Sequence, residues 1–137
     1  MTSGMYFLDT DIASYAIKGR SRAVETKLSA ISPDRVCISA VTRAEISYGL
    51  LGLPPEHRLH RVVRKFFGIV RCLSWDADAA DRYAVIRRQL TQAGAGIGEM
   101  DMMIAAHALA RDAILVTNNQ WHFRRIKAPL RLENWHD

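Results

Sequence analysis

Cysteine is scarce: Cys37 and Cys72 are the whole supply. They share no C-x-x-C spacing, so no redox motif or thiolate metal site is indicated, and two reduced, buried thiols are expected. No apolar run approaches the twenty or so residues needed to cross a bilayer, so no membrane association is expected. Met1-Thr2-Ser3-Gly4 leads straight into a strand-like segment without the basic and apolar stretches of a leader. A cytoplasmic protein is expected, with those first four residues as a loose extension and Met5 as an alternative start. Proline and glycine are sparse, four and eight of 137 residues, which excludes collagen-like repeats and argues against disorder. With no repeat, linker or low-complexity stretch, the length fits one domain, residues 1–137.

What is present is an apolar fraction of 49%, enough to bury a core, and a net charge of +5. Arginine supplies most of the positive charge, at fifteen residues against four lysines. Its flat guanidinium fork grips phosphate through paired hydrogen bonds. A basic chain suits a polyanionic substrate, although charge alone does not choose one.

Along the chain, Met5 to Leu8 reads as a buried strand that stops at Asp9. Asp9 or Thr10 can cap a helix running through about Ile17, with Gly19 ending it. A second helix is expected over Ser21 to Ala30, then a turn at Ser32-Pro33-Asp34 and a buried strand over Val36 to Ser39. The next helix carries Glu45 and closes near Gly49 to Gly52. Pro54-Pro55 is expected to open another, in which Leu59, Val62, Val63 and Phe66 keep helical spacing. Ile69 to Leu73 reads as a third strand. Asp76 caps a long helix, and residues 94–98 form a flexible loop. Then come a helix over Met100 to Arg111, a strand over Ala113 to Val116, a short helix or loop, and an edge strand near Leu130 to Leu132. Short strands with little alternation, separated by helices, imply an α/β fold: a single-layer parallel sheet of about five strands with helices on both faces.

In such sheets the site lies at the carboxyl ends of the strands. That rule gathers scattered acids. Asp9 follows strand one, Glu45 lies in the first two turns of the helix after strand two, and Asp101 starts the helix before strand four. Thr117, Asn118 and Asn119 follow strand four. Taken singly, Asp9 and Asp101 also read as helix-capping acids favoured by the dipole, and Glu45 as an exposed helix residue. Together at one sheet edge they would repel unless one stayed protonated or a cation intervened. Oxygen ligands suit Mg2+ or Mn2+. Such an ion activates water and steadies charge on a phosphoryl group, which points to phosphodiester hydrolysis.

Five blocks resemble one family in the expected order. Phe7-Leu8-Asp9-Thr10-Asp11-Ile12 is similar to the LDTN or LDTD opening of PIN domains. Residues 39–49 resemble the segment carrying their helix glutamate, and residues 98–109 resemble their D-x-x-I-A-A block. Leu115-Val116-Thr117-Asn118-Asn119 and Leu132-Glu133-Asn134-Trp135 resemble the tail of VapC-type toxins. The resemblance implies a PIN-like nuclease domain in which Asp9, Glu45 and Asp101 are catalytic metal ligands for Mg2+ or Mn2+. It implies an endoribonuclease that cuts structured RNA, commonly tRNA, inhibits translation, and forms a homodimer. It also implies a VapB-like antitoxin that neutralises the toxin in a higher assembly.

One departure stands out. Where the family places a fourth acid before the phenylalanine, His122 precedes Phe123. An imidazole binds Mn2+ but suits Mg2+ poorly; it could instead donate a hydrogen bond or contact phosphate. Asp11 and Asn119 are alternatives for the vacant role, Asp11 reading equally as a solvated first-turn acid. Thr10 and Thr117 either hold waters or carboxylates or simply shape turns. Arg43, Arg124 and Arg125 are candidate RNA contacts or solvated arginines. Glu99 is expected to cap its helix, and His107 to be a packed histidine. Trp121 is expected to pack in the core or against a partner, with base stacking as the alternative. Two rivals remain: a PIN-like module that binds RNA or a partner without cutting, and a haloacid-dehalogenase-like phosphatase using Asp9-Thr10-Asp11. The second lacks the paired acids expected late in the chain, where Asn118-Asn119 stand.

Overall fold

The computed structural model describes residues 4–136, so of the loose extension expected at residues 1–4 all but Gly4 lies outside the described residues. The chain alternates strands and helices from its start. β1 (Tyr6–Leu8), α1 (Thr10–Lys18), α2 (Arg22–Ala30) and β2 (Val36–Ser39) are followed by α3 (Ala40–Leu51), α4 (Leu59–Ile69) and β3 (Arg71–Leu73). Then come α5 (Ala77–Ala93), α6 (Glu99–Ala110), β4 (Ile114–Val116), α7 (Gln120–Phe123) and β5 (Arg131–Glu133). The strands form one sheet in the order β3-β2-β1-β4-β5, and every pairing is parallel. The strand order reverses between β1 and β4, which makes the carboxyl edge of those two strands the natural crevice.

Alternation within the short strands divides the core into two layers. Phe7, Cys37 and Leu115 point to one face, where Ile86 and Leu90 of α5 and Ile104, Ala105 and Ala108 of α6 cover them. Leu8, Val36, Ile38 and Val116 point to the other, against Ile12, Ala13, Val24 and Val70. Because both faces are covered, the central strands carry apolar residues at every position rather than at alternate ones. α6 is apolar almost all round, with Met102, Ile104, Ala105, Ala106, His107 and Ala108 buried, and this fixes Asp101 at its wet end.

Caps set the helix boundaries. Asp9, Ser21, Ser39 and Asp76 each accept a backbone N–H at the start of a helix. Gly19 and Gly94 end α1 and α5 with φ of 64° and 63°, a conformation glycine adopts without a Cβ penalty. Ser21 holds two elements at once: its hydroxyl accepts from Val24 N at 3.2 Å and meets His136 Nδ1 at 2.9 Å. Ser21→Ala should therefore lower stability by about 1–2 kcal/mol. Chemical denaturation would show it as a lower midpoint with unchanged slope; an unchanged midpoint would refute the capping role.

Several expectations need correction. α4 begins at Leu59, not at Pro54-Pro55; the prolines sit in the preceding turn, where His57 N bonds Pro54 O at 2.9 Å and the His57 ring accepts Leu59 N at 3.1 Å. Ile69 completes α4 and Val70 caps it, so β3 is shorter than expected and starts at Arg71. β3 is an edge strand, and Cys72 on it is exposed rather than buried; Cys37 is buried, and both thiols are free. Burial pushes the Cys37 thiol up to about 12, so it stays an uncharged core side chain. Glu99 does not cap α6, whose N-cap is Gly98; its carboxylate accepts from Tyr83 Oη at 2.8 Å and lies 3.8 Å from Arg87.

His107 is packed, as the sequence leads one to expect. It is fully buried, with Nδ1 2.8 Å from Ser39 Oγ and its ring edge-on to Phe7. Ser39 Oγ already accepts Val41 N at 3.1 Å, so its hydroxyl is free to donate to the imidazole. Burial first, then the nearby Arg111 charge, lowers the imidazole to about 4, so it is neutral at physiological pH.

Candidate active site

Asp9 is placed by the end of β1. Its N–H pairs with Val116 O at 3.0 Å, continuing the ladder, and its Oδ1 accepts Ile12 N at 2.9 Å, starting α1. It is only 4% exposed. Burial pushes its carboxyl up to about 7; hydrogen bonds from the Thr117 hydroxyl and Ile12 N–H work against that shift, while the charges of Asp11 and Asp101 add to it. A carboxylate driven this far from its ordinary value, at the crevice of a parallel sheet, is a functional-site signal with a physical cause.

Glu45 reaches the same edge from the second turn of α3. Thr10 Oγ1 donates to Glu45 Oε1 at 2.5 Å and lies 3.3 Å from Thr42 Oγ1. One hydroxyl has one hydrogen, so with Thr10 donating to Glu45, Thr42 is the donor to Thr10. A relay of two hydroxyls thus fixes the glutamate. Asp101, half-buried near the start of α6, is raised by burial and by the charges of Glu45 and Asp11, while His122 opposes the shift. Asp9 with Asp101, and Asp101 with Glu45, are therefore electrostatically coupled.

His122 sits on α7 with Nδ1 3.7 Å from Asp101 Oδ2 and 3.2 Å from Asn119 Nδ2. Asn119 donates to the imidazole while its own N–H bonds Thr117 Oγ1 at 2.9 Å. Thr117 thus supports both Asp9 and the turn that carries Asn119 and His122. Asp11 is exposed at the rim, in the first turn of α1. The three candidate arginines make different contacts. Arg43 is exposed with its guanidinium 4.2 Å from the Phe67 ring, directed toward α4. Arg124 bonds Gln120 Oε1 at 3.2 Å, and Arg125 bonds Gly96 O at 3.3 Å while lying 5.1 Å over the Trp121 ring. Trp121 is not in the core: it is 61% exposed and stacked on His122.

Sequence reasoning did not single out Thr42 or Ser39, both wholly buried. The available signal was polar residues in an apolar strand-to-helix junction, Ser39 and Thr42 within Ile38 to Ile46, since buried hydroxyls there must find partners. Next to Glu45, a cleft of about 280 Å3 opens between α1, α3 and α4, lined by Thr10, Ile17, Ile46, Leu50 and Leu59 among others.

A family model described as PIN domain matches residues 6–129. The chain belongs to the PIN-domain family. Curated relatives of this PIN domain include the "tRNA(fMet)-specific endonuclease VapC" of Shigella flexneri, 35% identical over 130 residues, covering 95% of this chain and 97% of that one. The protein of the same name from Salmonella typhimurium is 35% identical over 131 residues, with coverage of 95% and 97%. Among solved structures, VapBC2 from Rickettsia felis bound to a promoter DNA fragment superposes with a TM-score of 0.87 at 32% identity, covering 96% of this chain and 98% of that one. DNA-bound VapBC from Salmonella typhimurium gives 0.88 at 32% identity, with coverage of 98% and 99%. The five-stranded parallel sheet flanked by helices is the architecture of those chains.

The donor set bears on whether a metal fits. Among the described residues no three His, Cys, Asp or Glu side chains converge closely enough to ligate one ion directly. What they offer is carboxylate oxygen from Asp9, Asp101 and Glu45, mutually repelling, with His122 and Asn119 beside them. Mg2+ is ordinarily held through one or two carboxylates and keeps several waters. The coupled carboxylates fit an ion of that kind, and a cation would relieve the penalty on ionised Asp9.

Proposed function

We propose that this PIN domain is a metal-dependent endoribonuclease, the toxin of a toxin–antitoxin pair, that hydrolyses phosphodiester bonds of RNA. The observation that carries the reading is Asp9, Glu45 and Asp101 brought from three elements to one crevice of a basic protein. Asp9, Asp101 and Glu45 would hold Mg2+ or Mn2+. When bound, the ion supplies an activated water and stabilises charge on the phosphoryl group and the leaving oxygen.

The chain's own groups do the rest. Thr10 and Thr42 aim Glu45, and Thr117 donates to Asp9, favouring the ionised form that a cation needs. Asn119 holds the His122 ring with its Nδ1 facing Asp101. Arg124 and Arg125, exposed beside α7, bind the RNA backbone electrostatically. The relatives named tRNA(fMet)-specific endonucleases support tRNA as the RNA. A VapB-like antitoxin is the proposed partner, and the apolar cleft beside Glu45 gives one of its segments a seat from which to block the site. No helix among the described residues is long and apolar enough to cross a membrane. The proposed toxin is a cytoplasmic homodimer that joins its antitoxin in a larger complex.

The test is cleavage of total cellular RNA by antitoxin-free protein in Mg2+, Mn2+ and EDTA. Discrete fragments in at least one metal and none in EDTA are expected. Intact RNA in both metals, from protein shown to be folded, would favour a module that binds RNA or a partner without cutting.

A further inference from the structure

Of the three tryptophans, Trp121 is the exposed one. Trp75 is half-buried with its indole N–H donated to Met103 O at 2.9 Å, and Trp135 is 2% exposed with its N–H donated to Glu133 Oε1 at 2.9 Å. Trp121 is 61% exposed, and among the described residues its indole N–H has no acceptor. An isolated exposed tryptophan has no meaning by itself, but this one is held in place. Its ring stacks on His122, centroids 5.2 Å apart and planes within 18°, and the Arg125 guanidinium lies 5.1 Å from its centroid. Arg125 is tied in turn to Gly96 O at 3.3 Å, and its carbonyl accepts Gln89 Nε2 at 3.2 Å. The indole is thus braced by two elements, and it sits one ring beyond the imidazole that touches Asp101.

We propose that Trp121 is a stacking platform for an unpaired nucleobase of the RNA, close to the phosphodiester that is cut, and so a positioning residue that selects single-stranded over duplex sites. The proposal rests on the nuclease reading above. A base presents a flat π-face that an indole can take, whatever its identity. Duplex RNA already stacks its own bases, so only loop or splayed nucleotides can reach the ring. A cationic guanidinium beside the ring suits the phosphate of the same nucleotide and gains from the ring's negative face. A second apolar protein surface would sit less well against a ring flanked by Arg125 and His122. The neighbouring acids reinforce the choice, because a stacked base would hold the adjoining phosphate near Asp101.

Two measurements test it on the full chain. In EDTA, where nothing is cut, tryptophan emission is followed during titration with a twelve-nucleotide single-stranded RNA of mixed sequence and with the same strand in a duplex. Quenching by the single strand, much weaker quenching by the duplex, and loss of the quenching in Trp121→Phe are expected. Steady-state cleavage in Mg2+ or Mn2+ should then show Trp121→Ala raising KM about tenfold with little change in kcat, while Trp121→Phe stays near wild type. Equal quenching by both RNAs, an emission already shielded and indifferent to RNA, or an unchanged KM in Trp121→Ala would overturn the platform. If the wild type quenches as expected but cuts no RNA in any metal, the nuclease reading fails and the platform stands.

Discussion

Asp101→Asn and Asp9→Asn should each slow RNA cleavage by at least about a thousandfold in saturating Mg2+ or Mn2+, with circular dichroism unchanged. The substitutions are nearly isosteric; in Asp9→Asn the amide oxygen can still accept Ile12 N, while the amide nitrogen cannot accept from the Thr117 hydroxyl. What they remove is negative charge from a crevice where charge is the working property. A divalent ion contributes several kcal/mol of stabilisation to a phosphoryl transition state, and about 4 kcal/mol corresponds to a factor of roughly a thousand. Glu45→Gln should cost less, because Glu45 is held by the Thr10 hydroxyl at 2.5 Å and an amide oxygen can accept that bond equally well. The three variants therefore rank in activity, with Glu45→Gln retaining the most. Wild-type rates in Asp9→Asn and Asp101→Asn would mean that these carboxylates are not the reaction centre.

Much of this was legible in the chain before any coordinates. Asp9 could be read because an apolar run stops at it and a helix starts from it, and the sheet topology then dictates which edge it occupies. Glu45 and Asp101 followed from the same topology. The residues that escaped are those whose role depends on contacts distant in sequence. Thr42 and Ser39 look like ordinary helix-start residues until Thr10 and His107 are seen against them. Trp121 reads from sequence as a core or partner residue, with base stacking as the alternative; α7 is too short to bury it in the core, with Phe123 alone turned inward. The sequence points to a start of α4 at Pro54-Pro55, and the helix starts at Leu59, because prolines favour helix openings but equally favour the turn before one. Cys72 reads as buried because its segment is apolar; only the strand order reveals β3 as an edge.

Stability against pH should expose the two buried titratable groups as opposing influences. Asp9, raised from 3.8 to about 7, keeps its proton in the fold where the unfolded chain has lost it. Its burden on the fold grows as pH rises from about 4 and is complete above 7, at about 4 kcal/mol for a shift of about three units. His107, lowered from 6.5 to about 4, refuses a proton that the unfolded chain accepts. Its contribution runs the other way: stability is lost as pH falls from 6.5 to 4, by about 3 kcal/mol. Between pH 7 and 4 the two nearly cancel in the wild type, which should melt over a narrow range of temperatures. Asp9→Asn unmasks His107: it should exceed wild type in Tm at pH 8 without metal and lose that lead on acidification. His107→Gln, which keeps a polar partner for Ser39, should instead gain stability on acidification. Differences of a few kcal/mol correspond to shifts on the order of 10 °C in a domain of this size. Thermal melts in EDTA at pH 4, 5.5, 7 and 8 would decide it, and parallel profiles for all three proteins would refute the assignment of either group. Adding Mg2+ at pH 8 should raise the Tm of wild type more than that of Asp9→Asn, because a bound cation offsets the penalty that the asparagine never carried. The acid best placed for chemistry is then also the one that most weakens the empty fold.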